Sequence, residues 1–202
     1  MKKLFLLVVV SVLIASCGQQ KAVKTIENLK AGIKGETTAS AKYAAFAEKA
    51  RAEGLDTVAK LFDAASKAEG IHAANHSKVL ESLGEKMESF KPEFEVKTTA
   101  ENLQAAIDGE GYEVATMYPQ FLADAKTENV EKAVKSFTWA FDTEKKHHEF
   151  YQKALAAVKT NSEKTLPLTY AVCPVCGNTF DAAVLPAKCD FCNTDKAKFI
   201  TV

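Results

Sequence analysis

The sequence predicts an all-α four-helix bundle followed by a small metal-binding domain at the C-terminus. Three observations carry this prediction. Two segments of the first half recur, in the same order, in the second half. Apolar residues in these segments recur at helical spacing, with much Ala, Lys and Glu and few β-branched runs. Four of the five cysteines form two C-x-x-C pairs near the C-terminus.

The composition is that of an ordinary globular protein. Of the 202 residues, 47% are hydrophobic and 26% are charged, which excludes a disordered chain or a collagen-like repeat. The 26 basic side chains equal the 26 acidic ones in number, and no basic run stands out. Without a positive field to hold a polyanion, nucleic acid is not expected as a partner.

Residues 1–17 have the pattern of an export signal. Lys2 and Lys3 precede an apolar run over residues 4–15, which is shorter than the roughly 20 residues of a membrane-spanning helix. The run ends in Ile-Ala-Ser-Cys, which resembles the bacterial lipobox. We therefore expect lipidation of Cys17 and an exported, membrane-anchored lipoprotein on the extracytoplasmic, periplasmic side. An uncleaved anchor is the alternative.

The internal repeat predicts four helices. Residues 28–36 (NLKAGIKGE) match residues 102–110 (NLQAAIDGE) at an offset of 74. Residues 61–72 match residues 136–147 at an offset of 75. The predicted helices cover residues 22–53, 56–83, 98–126 and 129–160.

The connections between the helices indicate how the bundle is wound. Gly54 ends the first helix, and an equally short connection joins the last two, which gives two hairpins. Thr98 followed by Glu101 is a capping-box pattern at the start of the third helix. Residues 84–97, between the hairpins, are long and break the helical periodicity. One long crossover is typical of the ferritin-like four-helix bundle, here predicted over residues 22–160.

Each half of the bundle carries carboxylates at repeat-related positions. Glu69 and His72 lie three residues apart on a helix, so both side chains reach one point beside it. Glu144 and His147 repeat this spacing. Each of the other two helices offers one glutamate, which completes the ligand set of a dinuclear iron or manganese site. The predicted metal ligands are Glu36, Glu69, His72, Glu110, Glu144 and His147.

The alternative is a set of solvated surface pairs, which is what a single E-x-x-H pattern usually is. Four matched carboxylates on inward faces favour metal binding, because burying them without a cation would be very unfavourable. His76 and His148 lie outside the ligand pattern and are expected at the surface or behind the ligands. Trp139 is expected to pack in the core.

Residues 166–202 are predicted to form a second metal site. Two C-x-x-C knuckles separated by twelve residues can close tetrahedrally on one ion. So short a segment buries little core, and the metal must contribute to its folding. The predicted ligands are Cys173, Cys176, Cys189 and Cys192. Spacing alone leaves iron and zinc open, and disulfides are the alternative in an oxidising compartment.

From about residue 25 to residue 202, the sequence resembles rubrerythrin. The resemblance rests on Glu36 followed by Tyr43 in a GE-x(6)-Y segment and on residues 109–119 (GEGYEVATMYP). It also rests on both E-x-x-H turns and on the cysteine pairs, which are similar to those of the rubredoxin-like domain of that family. The resemblance therefore implies a ferritin-like bundle with a rubredoxin-like domain after it.

The resemblance also assigns roles beyond the six bundle ligands. It implies that Glu113 is both a ligand and a catalytic group, and that it competes with His72 for one iron. The carboxylate suits ferric iron and the imidazole suits ferrous iron. Tyr43 and Tyr118 are placed beside the site, where a catalytic role and a structural hydrogen bond to a carboxylate are equally open.

The function implied by the resemblance is a non-haem di-iron peroxidase that protects against oxidative stress. Hydrogen peroxide is expected to be reduced to water at two iron ions. Electrons are expected to pass through one further iron held by the four cysteines, where zinc is the alternative. The electron donor is unknown. In the family the tail of one subunit packs near the bundle of another, so a homodimer or higher oligomer is expected.

This sequence departs from the family pattern at two positions of the cysteine segment. Asp190 stands where proline is common, and Asn193 stands where glycine is common. Asn tolerates the left-handed backbone, so the fold is expected to survive, whereas the potential of the site is left open.

Two other functions compete with the peroxidase. One is a ferroxidase or iron-handling lipoprotein that uses dioxygen, with structural zinc in the tail. The other is a purely structural, metal-stapled surface protein. Glu113 is the discriminating feature, since the family's peroxidases carry it and simple ferritin-like sites lack it.

Overall fold

The computed structural model describes residues 22–202, and its fold is mostly helical. The predicted signal peptide and Cys17 lie outside the described residues. The helices are α1 (Val23–Ala52), α2 (Asp56–Ser82), α3 (Thr99–Tyr112), α4 (Tyr118–Thr127) and α5 (Glu131–Lys159). Within residues 22–202, none of these helices is long and apolar enough to cross a membrane.

The third predicted helix is one rod with a π-helical turn inside it. Residues Glu113–Met117 form this turn between α3 and α4. Tyr112 and Tyr118, on either side, keep right-handed helical angles, so the rod is not broken. A π-helical turn holds one residue more than an α-helical turn. This extra residue accounts for the change of the repeat offset from 74 before the turn to 75 after it.

The rods form two hairpins, as the repeat predicts. α1 packs along α2, and α3 and α4 pack along α5. Gly54 lies in the middle of the first hairpin's turn, with φ of 76°. Thr98 and Glu101 form the predicted capping box at the start of α3. The fold is therefore the ferritin-like bundle expected from the sequence.

The core of the bundle consists of two apolar clusters, one on each side of the buried carboxylates. The first contains Tyr43, Phe62 and Tyr151, and the second contains Tyr118 and Phe137. The stripe of apolar residues along each helix is interrupted midway by its glutamate. The charged groups are thus enclosed between the two clusters, away from solvent.

The cysteine module, residues 166–202, contains a small antiparallel sheet. Its strands are β1 (Tyr170–Val172), β2 (Thr179–Asp181) and β3 (Ile200–Thr201), in the order β2-β1-β3. The module lies on α2 and α5 of its own chain. The expected packing of the tail near the bundle of another subunit stays a prediction.

Candidate metal centres

The helices bring all six predicted bundle ligands together. They form two groups of four, and within each group the ligand atoms lie within 4.8 Å of one another. One group consists of Glu36, Glu69, His72 and Glu144. The other consists of Glu69, Glu110, Glu144 and His147. All six side chains are buried.

Glu69 and Glu144 belong to both groups and lie between them. Glu69 places its two oxygens 2.9 Å from Nδ1 of His72 and 3.2 Å from Nδ1 of His147. Glu144 places its oxygens 2.9 Å from each of the same two nitrogens. Glu69 and Glu144 would therefore be shared by two metal ions, and each ion would also be held by one terminal glutamate and one imidazole.

Several buried oxygen and nitrogen atoms of the cluster are suited to bind cations. Within residues 22–202, Oε2 of Glu36, Oε1 of Glu69 and both oxygens of Glu144 make no hydrogen bond of good geometry, although the last three lie close to imidazole nitrogens. Nδ1 of His147 likewise makes none. Buried anionic oxygens are very unfavourable unless a cation or a donor compensates them. Oxygen donors with one imidazole per ion suit iron or manganese.

The charges of the site respond to burial and to one another. Burial, with the repulsion of Glu113, raises the pKa of Glu36 well above its usual value. Burial and the charge of Glu144 do the same for Glu110. Burial alone would lower the pKa of His72, but the Glu144 carboxylate and its neighbour raise that pKa to about 10. Protons on imidazole therefore offset the carboxylates when no metal is bound.

Two tyrosines hold the terminal glutamates in a crossed arrangement. The hydroxyl of Tyr43, on α1, donates to Oε1 of Glu110 at 2.8 Å. The hydroxyl of Tyr118, on α4, donates to Oε1 of Glu36. Burial, followed by the charge of the facing glutamate, raises the pKa of each phenol well above 10.0. Both therefore remain protonated donors, as the predicted hydroxyl-to-carboxylate bond requires.

His76 supports this arrangement, which the ligand pattern in the sequence did not reveal. It is fully buried, with Nε2 3.1 Å from the Tyr118 hydroxyl and Nδ1 2.7 Å from Oγ of Ser136. Burial lowers its pKa to about 3, so the ring is neutral. Tyr151 occupies the repeat-related position and lies beside Tyr43, with ring centroids 5.5 Å apart. Extending the repeat offset of 75 to position 76 would have paired His76 with Tyr151.

Glu113 lies outside both groups of ligand atoms. It begins the π-helical turn, and its charge contributes to the raised pKa of Glu36. The group of ligand atoms that contains Glu36 includes His72 and does not include Glu113. The exchange of these two ligands therefore stays a prediction. His148, also outside the pattern, is partly exposed and lies 3.5 Å from Gln152.

The four cysteines of the module form the second centre. All four are free thiols, and their sulfurs lie within 4.8 Å of one another. The closest pairs are 3.4 and 3.5 Å apart, which excludes disulfide bonds between them here. Four sulfurs at about 2.3 Å from a central ion would be about 3.8 Å apart, so the cluster fits one tetrahedral metal.

Each knuckle of the module contains a residue with left-handed backbone. Gly177 has φ of 85° in the first knuckle, and Asn193 has φ of 60° in the second. In both turns the amide of that residue donates to the carbonyl of the knuckle's first cysteine. The substitution of Asn193 for glycine is thus compatible with the knuckle, as predicted.

The module touches both imidazoles of the dinuclear centre. A Cβ atom added to Gly177 would lie 2.3 Å from Nε2 of His72, so the glycine backbone rests on the edge of this ring. Oγ1 of Thr179 lies 2.9 Å from Nε2 of His147 and donates to the Gly177 carbonyl at 3.2 Å. Because this hydroxyl has one proton, Nε2 of His147 must donate to it. Nδ1 of the neutral ring is then free to bind a metal.

Comparison with known proteins agrees with this geometry. Residues 27–155 match the sequence model of the family described as Rubrerythrin. Rubrerythrin-2 of Clostridium acetobutylicum is 33% identical over 181 residues, which cover 89% of this chain and 97% of that protein. Nigerythrin of Nitratidesulfovibrio vulgaris is 36% identical over 183 residues, which cover 87% and 85% of the two chains. A structure of nigerythrin in the fully reduced, all-ferrous state matches with a TM-score of 0.78 and 34% identity, over 88% and 86% of the chains.

Proposed function

Given that this chain belongs to the rubrerythrin family, we propose that it reduces hydrogen peroxide to water. Two iron ions are assigned to the carboxylate and imidazole groups, and one iron to the four cysteines. The overall change is one peroxide plus two protons and two electrons, giving two waters. The electrons come from an external one-electron donor, whose identity stays open.

The residues of the chain perform separate tasks in this reaction. When bound, the iron ions supply electrons, two at the dinuclear centre and one at a time at the cysteines. Glu69 and Glu144 hold the two metal positions together and balance their charge. Tyr43 and Tyr118 keep a proton on their hydroxyls and orient the terminal carboxylates by donating to them. The two apolar clusters exclude water from the site.

The contact of the cysteine module with both imidazoles carries the proposal. A metal that only stapled the tail would need no contact with the dinuclear centre. Here the first knuckle rests on His72 through Gly177, and Thr179 bonds His147. Such contacts favour an iron site in the module that passes single electrons to the dinuclear centre. They are less expected for a zinc site that only stabilises the tail.

The proposal is tested by stopped-flow absorbance of the anaerobically reduced, full-length protein. Rapid appearance of the ferric-thiolate colour with hydrogen peroxide and slow appearance with dioxygen is expected. Reaction with dioxygen at least as fast as with peroxide would favour iron oxidation instead. The absence of colour with either oxidant would indicate zinc in the cysteine site.

A variant pair tests the ligand assignment. Glu110→Ala removes a terminal ligand from the dinuclear centre and is expected to abolish dinuclear iron and peroxide turnover. Asp108→Ala, on the exposed side of the same helix, is the matched control and should retain both. Full turnover in Glu110→Ala, with two irons still bound at the centre, would contradict the assignment.

We further propose that the protein is exported and anchored through a lipid on Cys17. The support is the lipobox-like end of the apolar run, together with the start of α1 at Val23, which leaves a short polar tether. Growth with a tagged fatty acid should label the wild-type protein and not Cys17→Ser. Labelling of both proteins would contradict lipidation at this residue.

We propose a homodimer or a higher oligomer as the working form, on the basis of family membership. Sedimentation equilibrium of the iron-loaded protein without residues 1–21 is the measurement, and a single species with the mass of one chain would contradict it.

A further inference from the structure

A polar cluster joins the bundle to the cysteine module next to the metal ligands. Lys146 precedes the ligand His147 on α5, and its ammonium points at the module. It donates to Oδ1 of Asn178 at 2.8 Å and approaches Oδ2 of Asp190 at 3.4 Å. It also lies over the rings of two module phenylalanines, 4.7 and 4.6 Å from their centroids.

The Asn178 amide is held in one orientation by opposite charges. Its side-chain oxygen accepts from Lys146, and its Nδ2 donates to Oδ1 of Asp190 at 2.6 Å. Rotating the amide by half a turn would place its oxygen against the carboxylate and its NH2 against the ammonium. Because Asn178 is fully buried, water cannot relieve that mismatch. The orientation is therefore fixed.

In this orientation the amide reaches a metal ligand. Nδ2 of Asn178 lies 3.6 Å from Sγ of Cys189 and donates towards it. Hydrogen bonds to ligand sulfurs are among the factors that set the potentials of iron–sulfur centres. A donor favours the state with more negative charge on the thiolates. For a one-electron couple between ferric and ferrous iron held by four thiolates, that state is the reduced one.

We propose that Lys146 is a positioning residue that raises the reduction potential of the iron in the cysteine module by orienting Asn178 towards Cys189. The inference deepens the proposed function and rests on it for the assignment of iron to this site. Lys146 belongs to the bundle and Asn178 to the module. The docked module therefore has a higher potential than an undocked one and accepts its electron more readily.

The test is a spectroelectrochemical titration of the full-length, iron-loaded protein, followed by the ferric-thiolate absorbance. At a fixed ambient potential, Lys146→Met and Asn178→Ala should each lower the ratio of reduced to oxidised site by about three- to tenfold. That range corresponds to the net contribution of one ordinary protein hydrogen bond, because the amide donates in both redox states and only the difference counts, and tenfold corresponds to about 59 mV for one electron. Lys146→Arg keeps the charge and the donor and should stay within about twofold of wild type.

Two further variants separate orientation from simple charge. Lys145→Met removes the neighbouring lysine, which pairs with Asp142 on its own helix, and should leave the potential unchanged. In an Asn178→Ala background, Lys146→Met should change the ratio by less than about twofold, because the amide that it orients is gone. Equal effects of the two lysine variants, or additive effects in the double variant, would overturn the proposal.

Peroxide turnover, measured on the same preparations, separates this inference from the proposed function. Unchanged potential shifts in a protein that does not react with peroxide would refute the peroxidase and leave the role of Lys146 intact. Normal turnover with no shift in Lys146→Met would do the reverse. A wild-type protein without a ferric-thiolate band would overturn the inference, since the site would not hold iron.

Discussion

Gly177 is the position where one methyl group should most directly disturb the contact between the two metal centres. An alanine Cβ there would lie 2.3 Å from Nε2 of His72, 2.6 Å from its Cδ2 and 3.2 Å from the carbonyl of Ala68. The His72 ring is buried and cannot swing into solvent. Overpacking of this kind costs about 1–3 kcal/mol. The left-handed backbone at φ of 85° adds about 1–2 kcal/mol for a residue with a Cβ.

The expected total cost of Gly177→Ala is therefore about 2–5 kcal/mol on the docked state. Gly54→Ala is the matched control, because φ is 76° there and nothing lies within 4 Å of the added Cβ. It should lose only the backbone part, about 1–2 kcal/mol. The difference between the two variants isolates the contact with His72.

Trp139 provides the assay. It is the only tryptophan of the chain and packs against the cysteine cluster from α5. Urea unfolding of the zinc-loaded protein, followed by Trp139 emission, should show the larger loss of midpoint in Gly177→Ala. Equal losses in the two variants would refute the steric reasoning and with it the close approach of the first knuckle to His72.

Three further predictions concern pH, the co-expression of two mutant chains, and helix capping. The pKa values of His72 and His147 are raised from 6.5 to about 10 and about 9, so their stabilisation of the metal-free protein is complete below pH 6.5. In calorimetry, the Tm of the metal-free protein should fall as the pH rises towards 10. A Tm that rises instead would contradict the raised pKa values of the two histidines. Co-expressed Cys189→Ser and Glu144→Gln chains should not restore peroxide turnover if each module serves its own bundle, whereas recovery would show that modules act between subunits. Thr98→Ala should lower the free energy of unfolding by about 1 kcal/mol through loss of the capping box, with unchanged peroxide turnover.

The ligands of both centres could be predicted from the sequence because each is encoded by short spacing. A Glu and a His three residues apart must share one side of a helix, and the repeat supplied the glutamates of the other two helices. Two C-x-x-C pairs likewise define a tetrahedral set without knowledge of the fold. Local geometry alone was sufficient in both cases to predict which side chains the fold brings together, namely Glu69 with His72 and the four cysteines.

Features that depend on contacts between distant segments could not be predicted in the same way. The offset change from 74 to 75 showed that one residue is added between Glu110 and Ser136, but not that a π-helical turn accommodates it. His76 carries no ligand spacing of its own, and its role depends on Tyr118 approaching from another helix. The seat of the module on its own bundle depends on packing that no local pattern encodes.

The two metal positions are related by the repeat but are not equivalent, and the differences all bear on which ligand can leave. Glu113, near Glu36, has no carboxylate at its repeat-related position, which is Ala39. His147 is tied by its hydrogen bond to Thr179, whereas Nε2 of His72 has no hydrogen-bond partner within residues 22–202. If His147 moved away from a metal ion, it would lose its hydrogen bond to Thr179. Among the described residues, His72 has no hydrogen bond at Nε2 to lose. The spare carboxylate and the untied imidazole therefore lie at the same metal position, which is where an exchange between them is to be expected.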